Sequence, residues 1–193
     1  ATDRIERMSM DDIGHVAVLG AGNMGHGITE VVALAGYDVT MRDVETEFVN
    51  EGYENIEWSL KKLHQSGRLE ELPDEVLARI ETTVDLEAAV SDADLVIEAA
   101  PEDLDLKREI FADLDEYAPD GAILASNTSS LPITDIAAAT DRPESVVGTH
   151  FFNPPVKMDL VEVIYGERTS EETAETAQAF VESIDKTPIY VRK

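Results

Sequence analysis

The chain has 193 residues, 43% of them apolar, with 41 acidic against 15 basic side chains, a formal net charge of −26 and no cysteine. This length and apolar content can bury one ordinary core. The charge excludes nucleic-acid and anionic-lipid partners, and the missing cysteines exclude disulfides, thiolate nucleophiles and thiolate metal sites. No apolar run reaches membrane-spanning length, and Ala1-Thr2-Asp3-Arg4 does not begin a secretory signal, so a cytoplasmic protein with no membrane partner is expected.

In chain order, the apolar run His15-Val16-Ala17-Val18-Leu19 predicts a first strand. It leads into Gly20-Ala21-Gly22-Asn23-Met24-Gly25 and a helical pattern through Leu34. This is the GxGxxG fingerprint in the strand-turn-helix context it requires: a tight turn, a close approach of backbone to pyrophosphate, and close helix-strand packing. A second strand, Asp38 to Arg42, ends at Asp43, an acid placed to take the hydroxyls of an adenosine ribose and to repel a 2′-phosphate. The cofactor expected is therefore NAD, with Arg42 as the dissenting neighbour.

Glu45 to about Ser66 predicts a long helix, with Phe48, Gly52, Ile56, Ser59, Leu60 and Leu63 at helical spacings, and a second helix runs from Leu72-Pro73-Asp74 through Ile80. These helices form an insertion between strands two and three, expected to project from the sheet edge toward a bulky substrate. Lys61, Lys62 and Arg68 put scarce positive charge there, either for an anionic ligand such as a CoA phosphate or as solvated helix residues. Alternation then resumes: strand Ile80 to Thr83, helix Leu86 to Val90, strand Asp94 to Glu98, helix Leu104 to Tyr117, strand Ala122 to Ala125, helix Ile133 to Ala139, strand Val146 to Thr149. Asp159 to Ile164 and Thr187 to Val191 add two strands around a helix from Ser170 to Ile184. The expected fold is α/β, a doubly wound parallel sheet of the Rossmann type in a single domain over 1–193, with the helical insertion and the additional C-terminal strands. Ligands of such sheets sit beyond the carboxyl ends of the strands, where Glu98 to Glu102, Ser126 to Ser130 and His150 fall.

His150 and Glu162, at the ends of two apolar strands, supply a base and a carboxylate to orient it, the chemistry that oxidation of a secondary alcohol needs. Ser129 is placed either to donate to the substrate oxygen or to cap the helix before Leu131-Pro132, with Ser130 the better cap. His15, His26 and His64 lack such partners and read as structural or solvated. No metal is expected.

Five motifs, Gly20 to Gly25, Pro101-Glu102-Asp103-Leu104-Asp105-Leu106-Lys107, Ser126-Asn127-Thr128-Ser129-Ser130, His150-Phe151-Phe152-Asn153-Pro154 and Leu160-Val161-Glu162-Val163-Ile164, resemble the L-3-hydroxyacyl-CoA dehydrogenases of fatty-acid β-oxidation, including the 3-hydroxybutyryl-CoA dehydrogenases. The resemblance runs from about Val16 to Lys193. It implies an acyl-CoA substrate, His150 as acid/base with Glu162 its partner, and Ser129 and Asn153 at the substrate. It also implies Asp43, Glu102 and Lys107 at NAD, beside Gly20, Gly22, Asn23, Met24 and Gly25 of the fingerprint. In that family a helical domain follows, making the dimer and closing over the acyl-CoA; this chain stops at Tyr190-Val191-Arg192-Lys193, before it. The expectation is either a truncated or separately encoded nucleotide domain, or a family function incomplete here, with weak or no activity alone; a homo-oligomer and a partner chain supplying the helical domain are the assemblies left open. The alternatives are a non-catalytic NAD(H)-binding module and a β-hydroxyacid dehydrogenase of the 6-phosphogluconate type, which would use a lysine.

The acids are spread over every segment, and only six of the 15 bases are lysines. This suits a salt-rich cytoplasm, since the Debye length falls to about 3 Å at 1 M salt; an acidic protein of an ordinary cytoplasm is the alternative.

Overall fold

The structure is a computed structural model that describes residues 13–192. Along the chain lie β1 (His15–Leu19), α1 (Asn23–Leu34), β2 (Asp38–Arg42), α2 (Thr46–Gln65), α3 (Pro73–Leu77), β3 (Ile80–Thr83), α4 (Leu86–Val90) and β4 (Leu95–Glu98). They are followed by α5 (Leu104–Tyr117), β5 (Ile123–Ser126), α6 (Ile133–Ala137), β6 (Val146–Phe151), β7 (Leu160–Tyr165), α7 (Glu171–Ser183) and β8 (Thr187–Arg192). The strands pair in one sheet, β3-β2-β1-β4-β5-β6-β7-β8. Every neighbouring pair is parallel except β6 and β7. This is the doubly wound order extended by two strands, and its switch point lies between β1 and β4, where the following loops part and leave a crevice.

Both faces of the sheet are covered, which is why the central strands read as unbroken apolar runs. One core joins Val18, Ile28, Met41, Ile56 and Phe180, beneath α1, α2 and α7. The other joins Leu19, Val96, Phe111, Leu114 and Ile136, beneath α4, α5 and α6.

α2 packs on α1 through one buried stripe of Val49, Gly52, Ile56 and Leu60. The helix expected to reach Ile80 ends at Leu77, since Ile80 pairs with Val39 and is buried as the first residue of β3. The helix expected to reach Ala139 likewise ends at Ala137. β6 runs two residues beyond the expected Thr149, because His150 and Phe151 gain antiparallel partners in Glu162 and Val161. None of the described helices is long and apolar enough to cross a membrane.

Candidate active site

The glycine turn is fixed by contact. Gly20 has φ +119°, and a Cβ there would lie 2.7 Å from the Ala99 carbonyl oxygen. At Gly25 a Cβ would fall 1.9 Å from the Gly20 oxygen, so the helix could not approach the turn. The N-cap of α1 is Gly22, which contributes no side-chain bond, and the first turn holds no acid. The first amides of α1 are thus left for an anion. Asp43 braces the turn: its Oδ2 accepts from the Ala21 amide at 2.9 Å and its Oδ1 from Val44 at 2.7 Å. Gly20, Gly22, Asn23, Met24 and Asp43 line one groove of about 720 Å³. Its open helix N-terminus, small walls and acid at the end of β2 fit a dinucleotide. Arg42 lines the same groove, its Nε donating to the Val84 carbonyl at 3.0 Å.

Below the groove, at the end of β4, sits an acid that sequence reasoning did not single out. Glu98 is fully buried and accepts from Ser126 Oγ (2.6 Å), the Ala100 amide (2.7 Å) and Lys107 Nζ (2.5 Å). Lys107 is equally buried, also donates to the Ala100 carbonyl at 3.2 Å, and stands 3.9 Å from Glu102. Its ammonium is therefore committed to the protein interior, and it does not line the dinucleotide groove. The available signal was an acid closing the apolar run Leu95-Val96-Ile97, nine residues before a lysine.

Glu102 ties this centre to the loop after β5. It accepts from Thr128 Oγ1 at 2.6 Å and from the amide and hydroxyl of Ser129 at 2.9 and 3.0 Å. Burial pushes its carboxyl up, but the bonds from Thr128 and Ser129 and the charge of Lys107 outweigh that and hold it below the usual carboxylate range. Neither Ser129 nor Ser130 caps α6, whose N-cap is Pro132 with no side-chain bond. Thr128 Oγ1 instead accepts the Leu131 amide at 3.0 Å.

His150 stands opposite Glu162 across β6 and β7, with Nδ1 2.8 Å from Glu162 Oε1. Both side chains are mostly buried, and Phe152 packs on the imidazole with centroids 4.6 Å apart. The strand end is held by Asn127, whose Oδ1 accepts the Phe151 amide at 2.8 Å. Gly27 of α1 admits the next segment, since a Cβ there would lie 2.8 Å from Pro155 Cδ. Asn153, in the turn after β6, is exposed.

A second groove, of about 880 Å³, runs between α1, α2 and residues 154–157. His26, Asn23 and Asn55 line it and the dinucleotide groove alike. Of the three bases noted on the insertion, Lys62 and Arg68 line it, whereas Lys61 pairs with Glu57 at 3.2 Å on the solvent face. His15 and His64 are structural, bonded to Thr40 Oγ1 at 2.9 Å and to the Leu69 carbonyl at 3.0 Å.

Sheet order, glycine turn and crevice define a dinucleotide-binding domain of the Rossmann type, with His150 and Glu162 paired across β6 and β7. Residues 15–193 match the model of the family described as 3-hydroxyacyl-CoA dehydrogenase, NAD binding domain. The chain belongs to that family. It is 46% identical over 172 residues to a probable 3-hydroxybutyryl-CoA dehydrogenase of Deinococcus radiodurans, covering 89% of this chain and 62% of that one. Against the mitochondrial hydroxyacyl-coenzyme A dehydrogenase of Rattus norvegicus it is 40% identical, covering 92% and 58%. The crystal structure of (S)-3-hydroxybutyryl-CoA dehydrogenase from Ralstonia eutropha superposes with a TM-score of 0.91 at 38% identity, over 94% of this chain and 64% of that one. The chain thus spans about three fifths of the length of these relatives.

Replacing Lys107 by Met should leave Glu98 buried without a counter-charge and destabilise the fold by about 3–5 kcal/mol. In urea unfolding, adding Glu98→Gln should restore part of that loss; a Lys107→Met variant as stable as the parent would show that the pair is not a buried ion pair.

Proposed function

We propose that the chain carries the NAD-binding and acid/base machinery of an enzyme that oxidises L-3-hydroxyacyl-CoA to 3-oxoacyl-CoA, reversibly. The observation that carries this reading is the 2.8 Å contact between His150 Nδ1 and Glu162, facing each other across β6 and β7. Bound NAD would supply the hydride acceptor. An ionised carboxylate only accepts hydrogen bonds, so Glu162 fixes the neutral ring as the Nδ1–H tautomer and leaves Nε2 as the base. Nε2 takes the substrate hydroxyl proton, Glu162 stabilises the imidazolium, and in the reverse direction the same proton returns to the ketone oxygen.

Glu102 and Lys107 serve NAD in this reading, Glu102 by contact and Lys107 by setting the 98–102 loop. Asn153 meets the substrate from the turn after β6. Ser129 does so once its hydroxyl leaves Glu102. We place the CoA moiety in the second groove, near Lys62 and Arg68. A helical domain, from the remaining length of the relatives or from a partner chain, would close over it and make the dimer. A lysine-based β-hydroxyacid mechanism is less suited, because Lys107 is spent on Glu98.

NADH oxidation with acetoacetyl-CoA in about molar salt tests the reading. In protein extended by the helical domain, His150→Ala should lower turnover about 100-fold with NADH binding hardly changed, and Glu162→Gln should act on the same step. The 193-residue chain should bind NADH but turn over far more slowly, for want of substrate positioning. Full activity in His150→Ala would remove the mechanism.

Asp43→Ala should weaken NAD about tenfold, the loss of one charge-assisted hydrogen bond, and relax discrimination against NADP. Equal affinity for both cofactors in the unmutated protein would contradict the assignment.

We further propose that the acidic surface adapts the protein to a salt-rich cytoplasm. Melting temperature should then rise from low to molar salt as repulsion is screened; a flat or falling profile would oppose this.

A further inference from the structure

The second groove holds an acid with no cation paired to it among the described residues. Glu30 is 1% exposed, and among the described residues its carboxyl receives one hydrogen bond, from Ser59 Oγ at 2.8 Å. The charged and titratable groups that share the groove are His26 on α1, Lys62 on α2, Arg68 in the loop after α2, and Lys157 after β6. None of these cations forms an ion pair with Glu30. Glu98, just as buried, has Lys107 against it. Glu30 has only a hydroxyl, and burial pushes its carboxyl up to about 7, with the Ser59 bond opposing. One turn earlier, His26 Nδ1 is buried with no partner, a second polar atom of the groove left unmet.

We propose that Glu30 is a proton-binding group of the substrate groove, and that seating the CoA moiety of an acyl-CoA there is coupled to uptake of one proton from solvent by its carboxyl. This rests on the reading of the groove as the acyl-CoA site. A ligand over the groove replaces the solvent that fills it and lowers the polarity around a carboxyl already 1% exposed, and without a counter-charge the neutral form is favoured. The phosphates of the ligand add repulsion of the same sign. Lys62, Arg68 and Lys157 favour the ionised form, but beyond ion-pair distance in an open groove they are screened. Protonation also reverses a hydrogen bond. Ionised, Glu30 takes the single hydroxyl proton of Ser59 and leaves Ser59 an acceptor; neutral, it donates to Ser59, whose own proton then turns to the ligand.

The linkage fixes the sign. The complex binds more protons than the free protein, so affinity for CoA is highest while Glu30 is protonated and falls as pH rises, by at most about tenfold per unit for one proton. CoA is titrated calorimetrically into the protein and into Glu30→Gln at pH 6, 7 and 8, in buffers of different ionisation enthalpy. Every titratable group but Glu30, the phosphate of CoA included, is common to both titrations, so the difference isolates Glu30. Greater proton uptake in the parent, and a fall in affinity between pH 6 and 8 about 3- to 10-fold steeper than in Glu30→Gln, is the expected result. Equal uptake and equal slopes would overturn the proposal and leave the groove reading standing. CoA that binds neither protein at any pH would overturn both.

Melting without ligand gives an independent readout. An acid with a raised folded value stabilises the fold fully below its unfolded value of 4.5 and loses that contribution as pH rises through about 7. The melting temperature of Glu30→Gln should therefore gain on the parent from pH 5 to 8; a gap that stays constant contradicts an unpaired Glu30. If Glu30→Gln does not fold, Ser59→Ala serves instead: losing the bond that favours the ionised form should move the affinity transition to higher pH, and an unmoved transition overturns the proposal.

Discussion

The antiparallel pairing of β6 with β7 is the constraint on which the candidate site depends. In a sheet otherwise built of parallel neighbours, this one reversal brings two residues twelve positions apart directly opposite each other, His150 facing Glu162. A slip of one residue would send either side chain to the other face of the sheet. The register is pinned from both sides. Asn127 holds the Phe151 amide, and Val161 and Val163 are buried against the core that contains Phe180. Because Asn127 leaves the end of β5 and Gly27 admits Pro155 onto α1, the end of β6, the serine loop and the nucleotide helix are tied together. The geometry of the His150 and Glu162 pair is thus inherited from strand pairing, with little left to loop flexibility.

Two buried acids beside the site show how differently one fold treats the same charge. Glu98 is satisfied completely by a lysine, a serine and an amide, and its bonds set the exit of β4, the exit of β5 and the start of α5 at once. Such a centre stiffens the crevice, since removing either charge strands the other in a medium of low polarity. Among the described residues Glu30 has no cation paired to it and it lines a groove, the setting in which we propose that its charge state answers to what enters. Stiffness belongs to the nucleotide side and adjustability to the neighbouring groove.

Much of this was legible in the sequence. The strand-turn-helix context of Gly20 to Gly25, the acid at Asp43 and the alternation of apolar runs with helical spacings are local signals, and the strands and helices they predict are present. The His150 and Glu162 pair was legible as two residue types at two strand ends, although only the direction of β7 makes them neighbours. What stayed hidden is of one kind. The resemblance puts Lys107 at NAD, and nothing local says that its side chain turns inward to Glu98. Glu30 reads as one more acid in a chain of 41, and the stripe of α2 gave no hint that this helix packs on α1, where Ser59 meets Glu30. Ser130 looked like a helix cap, but α6 starts after Pro132 with no side-chain cap, and the loop before it ties Ser129 to Glu102. Each miss is a long-range contact that overrides a sound local preference.

The central claim is that strand pairing hands Glu162 the proton-bearing Nδ1 of His150 and leaves Nε2 bare as the base. Nitrogen NMR of the protein labelled at its histidine rings reads this directly, with His150 assigned by its loss in His150→Ala. The account predicts a neutral ring protonated at Nδ1, with Nε2 unprotonated, and a redistribution between tautomers in Glu162→Gln. A His150 ring carrying its proton on Nε2, unmoved by Glu162→Gln, would contradict it.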